Sequence, residues 1–413
     1  MDIIPAELLE IIISYLDFDD LKILDQVHTE LNWSIIYLYR FGRNKCIDKQ
    51  EYYDTIVAER LKNYSMFKYI TIEGLAVSEF IELCINEKEM IPDELYKLSK
   101  LTAIAIMNSK DMRNKVILDQ VLNKIFTFKN LTHLYIPSLN IKELINIKNL
   151  TNLEYLDLTC NKDIQLPEEL YELTKLNYLS ISRCYIDRCG VFFENITKLT
   201  NLENLNISSN QIHYLPMGLP KMCSLRTLDI SDNEIENLPH EMGKMTNLVR
   251  IDLSTNKFKE FPVQLFSLTQ LTDLNLEINE MGNPPEAISR LVNLTDLSLY
   301  DNSINKIVNI CKLPKLKKLW LGSNQIKSIP VEIKNLTGLE WLDLTGNPLH
   351  ELPEEFFELV SLVSLKITST DINELPVGIT KLINLKNLDG NISLRTNIKM
   401  ISEDLYDRLD LDI

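Results

Sequence analysis

From Leu131 onward the chain repeats itself. The pattern LxxLxLxxN begins at Leu131, Leu153, Leu176, Leu202, Leu225, Leu248, Leu271, Leu294, Leu316, Leu339, Leu362 and Leu385. The step is 23 residues in eight of the eleven intervals, 22 in two and 26 in one. Two looser units precede it, at Phe67 (FKYITI) and Leu101 (LTAIAI), so coils cover residues 67–400. A repeat of this period is one supersecondary unit that cannot bury its own apolar face, and it must stack on copies of itself. That resolves the length. A chain of 413 residues would ordinarily divide into several domains, whereas stacked units share one core that grows along an axis.

One coil shows the physics. In LRTLDISDNEIENLPHEMGKMTN, residues 225–247, Leu225, Leu228 and Ile230 alternate with polar residues and so face inward from a short strand. Asn233 then turns inward, where its amide can satisfy the backbone of the bend. The same slot holds Asn161, Asn210, Asn256, Asn279, Asn302, Asn324 and Asn347, with Cys184 and Thr370 as small substitutes. Leu238-Pro239, Met242 and Met245 form the returning side, where proline favours an extended or 3₁₀ path over a long helix.

These residues resemble the leucine-rich-repeat family, and the LPxxIxxLxxL return is similar to its intracellular Ras-group type. The resemblance implies an α/β solenoid, a horseshoe with a parallel concave β-sheet. Such a scaffold hosts many partners, so it fixes fold far more than function. Residues 402–413, SEDLYDRLDLDI, suit a closing helix with Ser402 as N-cap, and Leu405 and Leu409 shielding the last coil. The expected organisation is a small all-α module over 1–45, a helical linker or cap over 46–66, repeats over 67–400 and a capping helix over 401–413.

Residues 1–66 do not repeat. Pro5 opens a helix that carries Leu8, Ile12, Ile13 and Leu16 on one face, and Asp19 caps a second with Leu21, Leu24 and Val27. From Ile4 to Val27 this resembles the F-box, whose pattern runs LPxELLxxIxxxLxxxDLxxLxxV. It departs from that pattern beyond, with His28 where cysteine is usual and Leu31 where tryptophan is usual. The resemblance implies that Pro5, Leu8, Ile12, Leu16, Leu21, Leu24 and Val27 form the module and its surface for a Skp-type adaptor of a cullin-RING ubiquitin ligase. The other reading is a helical cap over the open apolar end of the solenoid, which every such array needs.

Charge narrows the partners. The formal net charge is −16, a field that repels nucleic-acid phosphates and anionic lipid and suits a basic protein. Asp2, Glu7 and Glu10 stand where a signal peptide needs basic residues, and no apolar run approaches the roughly 18 residues of a membrane span. The seven cysteines form no CxxC pair, as expected of reduced thiols in an intracellular, cytoplasmic protein. Asn-Leu-Thr triplets at Asn130, Asn149, Asn293 and Asn335 match a glycosylation sequon, but without a secretory signal they follow from the repeat. The five histidines are scattered, with no HExxH, and there is no phosphate-binding glycine loop. The expectation is a protein-binding chain, not an enzyme, with no cofactor.

Where a partner sits follows from the strand period. With the first leucine of each coil at position zero, positions two, four and six point out of the sheet. Tyr300 is at six, Trp320 at four of the next coil and Trp341 at two of the one after, so three rings should form a diagonal stripe. Exposed aromatic groups of this kind anchor interfaces. Asp273, Glu277 and Asp296 flank them and favour a basic segment. His133, Tyr135, Tyr155 and Tyr178 form a second aromatic group near the start of the array.

Overall fold

The structure is a computed structural model and describes residues 80–85, 101–108, 115–186, 195–215, 217–391 and 393–412. The F-box-like segment, the linker over 46–66 and the looser unit at Phe67 lie outside these residues. The described residues divide into two units after Asp157.

The first unit holds four parallel strands: β1 (Phe80–Ile85), β2 (Ala103–Asn108), β3 (His133–Tyr135) and β4 (Tyr155–Asp157). Each pairs with the next. The unit at Leu101 supplies β2, while β1 lies between the FKYITI and LTAIAI segments, where no strand was expected. Between β2 and β3 the return is an α-helix, α1 (Lys115–Ile125), because Leu118, Val121, Leu122 and Ile125 recur at helical spacing and are all buried.

The second unit stacks eleven parallel strands in sequence order. They are β5 (Tyr178–Ser180), β6 (Asn204–Asn206), β7 (Thr227–Asp229), β8 (Arg250–Asp252), β9 (Asp273–Asn275), β10 (Asp296–Ser298), β11 (Lys318–Trp320), β12 (Trp341–Asp343), β13 (Ser364–Lys366), β14 (Asn387–Asp389) and β15 (Asp410–Asp412). Equivalent positions of successive coils pair directly, Arg250 with Asp273 and Asp273 with Asp296 for instance. The inward leucines of every coil are buried, Leu225, Leu228 and Ile230 among them, and Met242 and Met245 close the same core from the returning side. Where a proline precedes the return, as at Pro239, Pro262, Pro285, Pro330, Pro353 and Pro376, a five-residue 3₁₀ helix follows. The coil of Leu294 lacks it, and its 3₁₀ turn is the three residues Ile310–Lys312.

The asparagine slot does what its chemistry predicts. The Nδ2 of Asn210 donates to the carbonyls of Ile181, Ile207 and Ser208, while its Oδ1 accepts from the Cys184 and Ile186 amides of the preceding coil. Asn233 repeats this against Ile207 and Ile212. Cys184 keeps the donation, from Sγ to the Leu158 and Ser182 carbonyls. Thr370 likewise donates within its own coil, to Ile367. With no amide oxygen reaching back from Thr370, Leu349 N turns to the Asn347 carbonyl.

Two devices were not legible in the pattern. The residue before the slot is left-handed in eleven successive coils, from Ser138 (φ 58°) through Thr255 (52°) and Ile278 (52°) to Ser369 (56°), and only Gly346 among them is glycine. That conformation costs an L-residue about 1 kcal/mol or more, and it is what swings the following side chain inward. A second ladder runs along the returning side. The residue just before the first leucine donates to the preceding coil, as Asn152 does to Lys129 O, Asn201 to Thr174 O, Asn247 to Cys223 O, Asn293 to Thr269 O and Asn384 to Val360 O.

After β14 the chain leaves the repeat earlier than its pattern suggested. Helix α2 (Ser393–Ile401) precedes α3 (Glu403–Arg408), whose N-cap is Ser402, its hydroxyl accepting from Leu405 N at 3.2 Å. Leu405 and Leu409 are buried. β15 follows and pairs with β14.

Asn210→Ala should lower unfolding stability by about 1–3 kcal/mol, the cost of leaving buried backbone groups unpaired. Asn256→Ala should lower it less, because Asn256 is only half-buried and water can replace part of its bonding. Denaturant titration of both variants checks the ordering.

Candidate functional site on the sheet face

The outward positions of β7–β13 form three rows. Position two reads Thr227, Arg250, Asp273, Asp296, Lys318, Trp341 and Ser364. Position four reads Asp229, Asp252, Asn275, Ser298, Trp320, Asp343 and Lys366. Position six carries Ser231, Ser254, Glu277, Tyr300, Gly322, Thr345 and Thr368.

A pocket of about 250 Å³ opens on this face between β8 and β11, lined by Arg250, Asp252, Asp273, Asn275, Glu277, Asp296, Ser298 and Trp320. Four of the residues marked from sequence, Asp273, Glu277, Asp296 and Trp320, thus share one cavity. Its acids are held in place. Asp273 takes Arg250 at 2.7 Å and the Thr272 hydroxyl at 2.6 Å. Asp296 takes Lys318 at 3.0 Å and the Thr295 hydroxyl at 2.8 Å. Glu277 accepts from the Ser298 hydroxyl. The two cations stand at opposite ends of the acid pair, and both ion pairs are partly exposed. Such pairs are worth at most about 1 kcal/mol, so an incoming cation can exchange with them.

Arg250 and Lys318 were missed, although the rule that found Asp273 and Asp296 places both on the same row. The role of position four was also missed. Asp229 accepts from Ser231 N and Oγ, Asp252 from Ser254 N and Oγ, Asn206 from Ser208 N and Oγ, and Asn275 from Glu277 N. An acceptor there closes the end of the strand, and aspartate and asparagine serve alike. Burial pushes the Asp229 carboxyl above its usual range, and neighbouring Asp252 adds to this against the Ser231 hydrogen bonds.

The aromatic stripe is laid out differently from the expectation. Tyr300, Trp320 and Trp341 are half-buried at their outward positions, and no ring stacks on another among the three. Each stands against different neighbours. Trp320 stands between Ser298 and Asp343 and walls the pocket. Tyr300 lies over Gly322, where any β-carbon would come within 2.7 Å of its ring. Trp341 sits beside Lys318 and under Lys366, whose Nζ is 5.5 Å from the ring centroid. The rings that do gather are in the first unit: Tyr135 and Tyr155 at 4.6 Å, with His133 stacked on Tyr155 at 5.6 Å. Tyr178 belongs to the second unit.

Among the described residues no three metal-capable side chains converge. Burial pushes the Cys311 thiol up to about 12, which keeps it protonated and unreactive. No helix among the described residues is long and apolar enough to cross a membrane.

Comparison with known proteins agrees with this architecture. The profile of the leucine-rich repeat region family matches residues 179–305 and 300–407, together more than half of the chain. The chain belongs to the leucine-rich-repeat family, whose fold serves as a protein-binding scaffold. Among solved structures it is similar to a leucine-rich-repeat protein of Leptospira interrogans, at 29% identity and a TM-score of 0.71 over 83% of this chain and 91% of that one. An internalin of Listeria monocytogenes shares the fold at 21% identity and a TM-score of 0.57, covering 86% and 93%. A plant peptide hormone receptor, solved in complex with RGF2, does so at 20% identity and 0.54, covering 80% and 54%. No curated protein sequence matches the chain.

Asp229→Asn should keep the strand-end hydrogen bonds, as Asn206 does, and remove a desolvated charge. The folded carboxyl titrates above the unfolded one, so its penalty is full at neutral pH and vanishes below the unfolded value. The variant should therefore unfold at higher denaturant than the parent at pH 7 and lose that advantage as pH falls through the carboxylate range. Paired urea titrations at pH 7 and pH 4 measure this.

Proposed function

We propose that the chain is a non-enzymatic adaptor. The open face of its second unit captures a protein substrate, and its F-box-like segment 1–45 joins it to a Skp-type adaptor of a cullin-RING ubiquitin ligase. The observation that carries the first half is the pocket, where three aspartates and a glutamate gather beside Trp320 on a face that folding leaves open. Carboxylates there select a basic segment and speed its approach, while the indole wall supplies the desolvated contact on which affinity depends. Supporting the second half is the residue pattern from Ile4 to Val27, with Pro5, Leu8, Ile12, Leu16, Leu21, Leu24 and Val27 at the positions the F-box resemblance assigns to the adaptor surface. An intracellular, cytoplasmic setting goes with this reading.

The purified full-length chain should retain a Skp-type adaptor through gel filtration, and removal of residues 1–45 should abolish that while the repeats stay folded. Failure of the full-length chain to retain it overturns the ligase half, and aggregation of the deletion would identify the segment as a cap. Trp320→Ala should keep the adaptor and the unfolding midpoint, yet weaken binding of a basic segment by about 2 kcal/mol or more. Asp273→Lys with Asp296→Lys should mainly slow association and flatten its salt dependence.

A further inference from the structure

The sheet face is not uniformly acidic along the stack. Beyond Trp320, on the side away from the acid pocket, two donors lack an acceptor. The Trp341 indole Nε1 is buried with no hydrogen-bond partner. Lys366 lies over that ring, and among the described residues no carboxylate pairs with it. Asp343 and Asp389 are its cross-strand neighbours, but Asp343 Oδ1 accepts from Thr345 N at 2.9 Å and closes the strand end, and Asp389 Oδ1 accepts from the Thr368 hydroxyl. The face therefore runs from acids on β8–β10, through the Trp320 ring on β11, to the Trp341 indole N–H on β12 and the Lys366 ammonium on β13, the latter between Asp343 and Asp389, whose Oδ1 atoms are engaged elsewhere.

Spacing turns this polarity into a motif. From Asp296 on β10 to Lys366 on β13 is three strand steps of about 4.8 Å and two residues along the strand, or about 16 Å, a span that long side chains at both ends of a short segment help to bridge. Four residues of extended chain cover about 13 Å, and residues i, i+2 and i+4 of such a chain point to one side. We propose that the face binds an extended segment of the form cation-x-apolar-x-carboxylate, laid across the strands with its cation toward β8. The Lys or Arg enters between Asp273 and Asp296, exchanging with Arg250 and Lys318. The apolar residue covers Trp320. The carboxylate pairs with Lys366 and draws it off the Trp341 ring, which opens Nε1 to an acceptor. The reverse order sets a carboxylate against Asp273, Glu277 and Asp296 and a cation against Lys366, so the face reads direction as well as composition.

This rests on the sheet-face half of the proposed function and is independent of the ligase half. The test uses the full chain and four end-blocked pentapeptides, Lys-Ser-Leu-Ser-Glu, Glu-Ser-Leu-Ser-Lys, Lys-Ser-Leu-Ser-Gln and Lys-Ser-Leu-Ser-Lys, with binding read from tryptophan emission. The first should bind about fivefold or more tighter than any of the others, the scale of one partly exposed ion pair. In Lys366→Glu the preference should invert toward Lys-Ser-Leu-Ser-Lys. Equal binding of the Glu and Gln peptides, or a Lys366→Glu variant with unchanged preference, overturns the directional motif and leaves the basic-partner reading standing. Binding that ignores the lysine as well overturns both.

Discussion

Everything in the second unit depends on one unmet requirement of the single coil. A chain that turns out of a three-residue strand leaves backbone amides and carbonyls pointing into an apolar interior, and no residue of that coil can pair them all. The slot asparagine answers with both ends of its amide. Its Nδ2 gathers carbonyls of its own coil and the one before, and its Oδ1 reaches back to two amides. Satisfaction of one coil is therefore located in its neighbour. The left-handed residue that precedes the slot carries the conformational cost of aiming the side chain, and it is borne even by β-branched Thr255 and Ile278.

That same requirement frees the outward face. Because leucines and asparagines settle stability from the inside, positions two, four and six carry few packing duties and can hold charge. The division is not complete, since aspartate or asparagine at position four also closes the strand end. What remains available is a set of ion pairs at the rim of a pocket, an indole wall and two donors in want of an acceptor. Rim pairs are weak in water and exchangeable, which is the property a binding face needs. A fully satisfied face would resist a partner, and a face of unpaired acids would repel itself.

How far the residues announced this varies with the scale of the interaction. The parallel sheet, the inward asparagines, the proline-led 3₁₀ returns and the Ser402 cap all rest on contacts within a coil or between equivalent positions of adjacent coils, and periodicity encodes these directly. The choice of Asp273, Glu277, Asp296 and Trp320 as one locality followed from the same alternation. The diagonal of Tyr300, Trp320 and Trp341 faces outward, but each ring meets neighbours of its own, Tyr300 over Gly322 and Trp341 under Lys366. Gly322 in particular gave no signal in the repeat, yet it is what lets Tyr300 lie flat.

The sequence by itself determined the fold, because a 23-residue apolar period admits no other way to bury its leucines. It also determined which side chains face out, because strand geometry alternates strictly. Only the tertiary structure decided what those outward residues do to one another. Arg250 neutralises Asp273 and Lys318 neutralises Asp296, while Lys366 lies over an indole ring and, among the described residues, forms no ion pair with its neighbours Asp343 and Asp389. Long charged side chains choose among several neighbours by differences of an ångström or two, and a repeat pattern carries no information at that resolution.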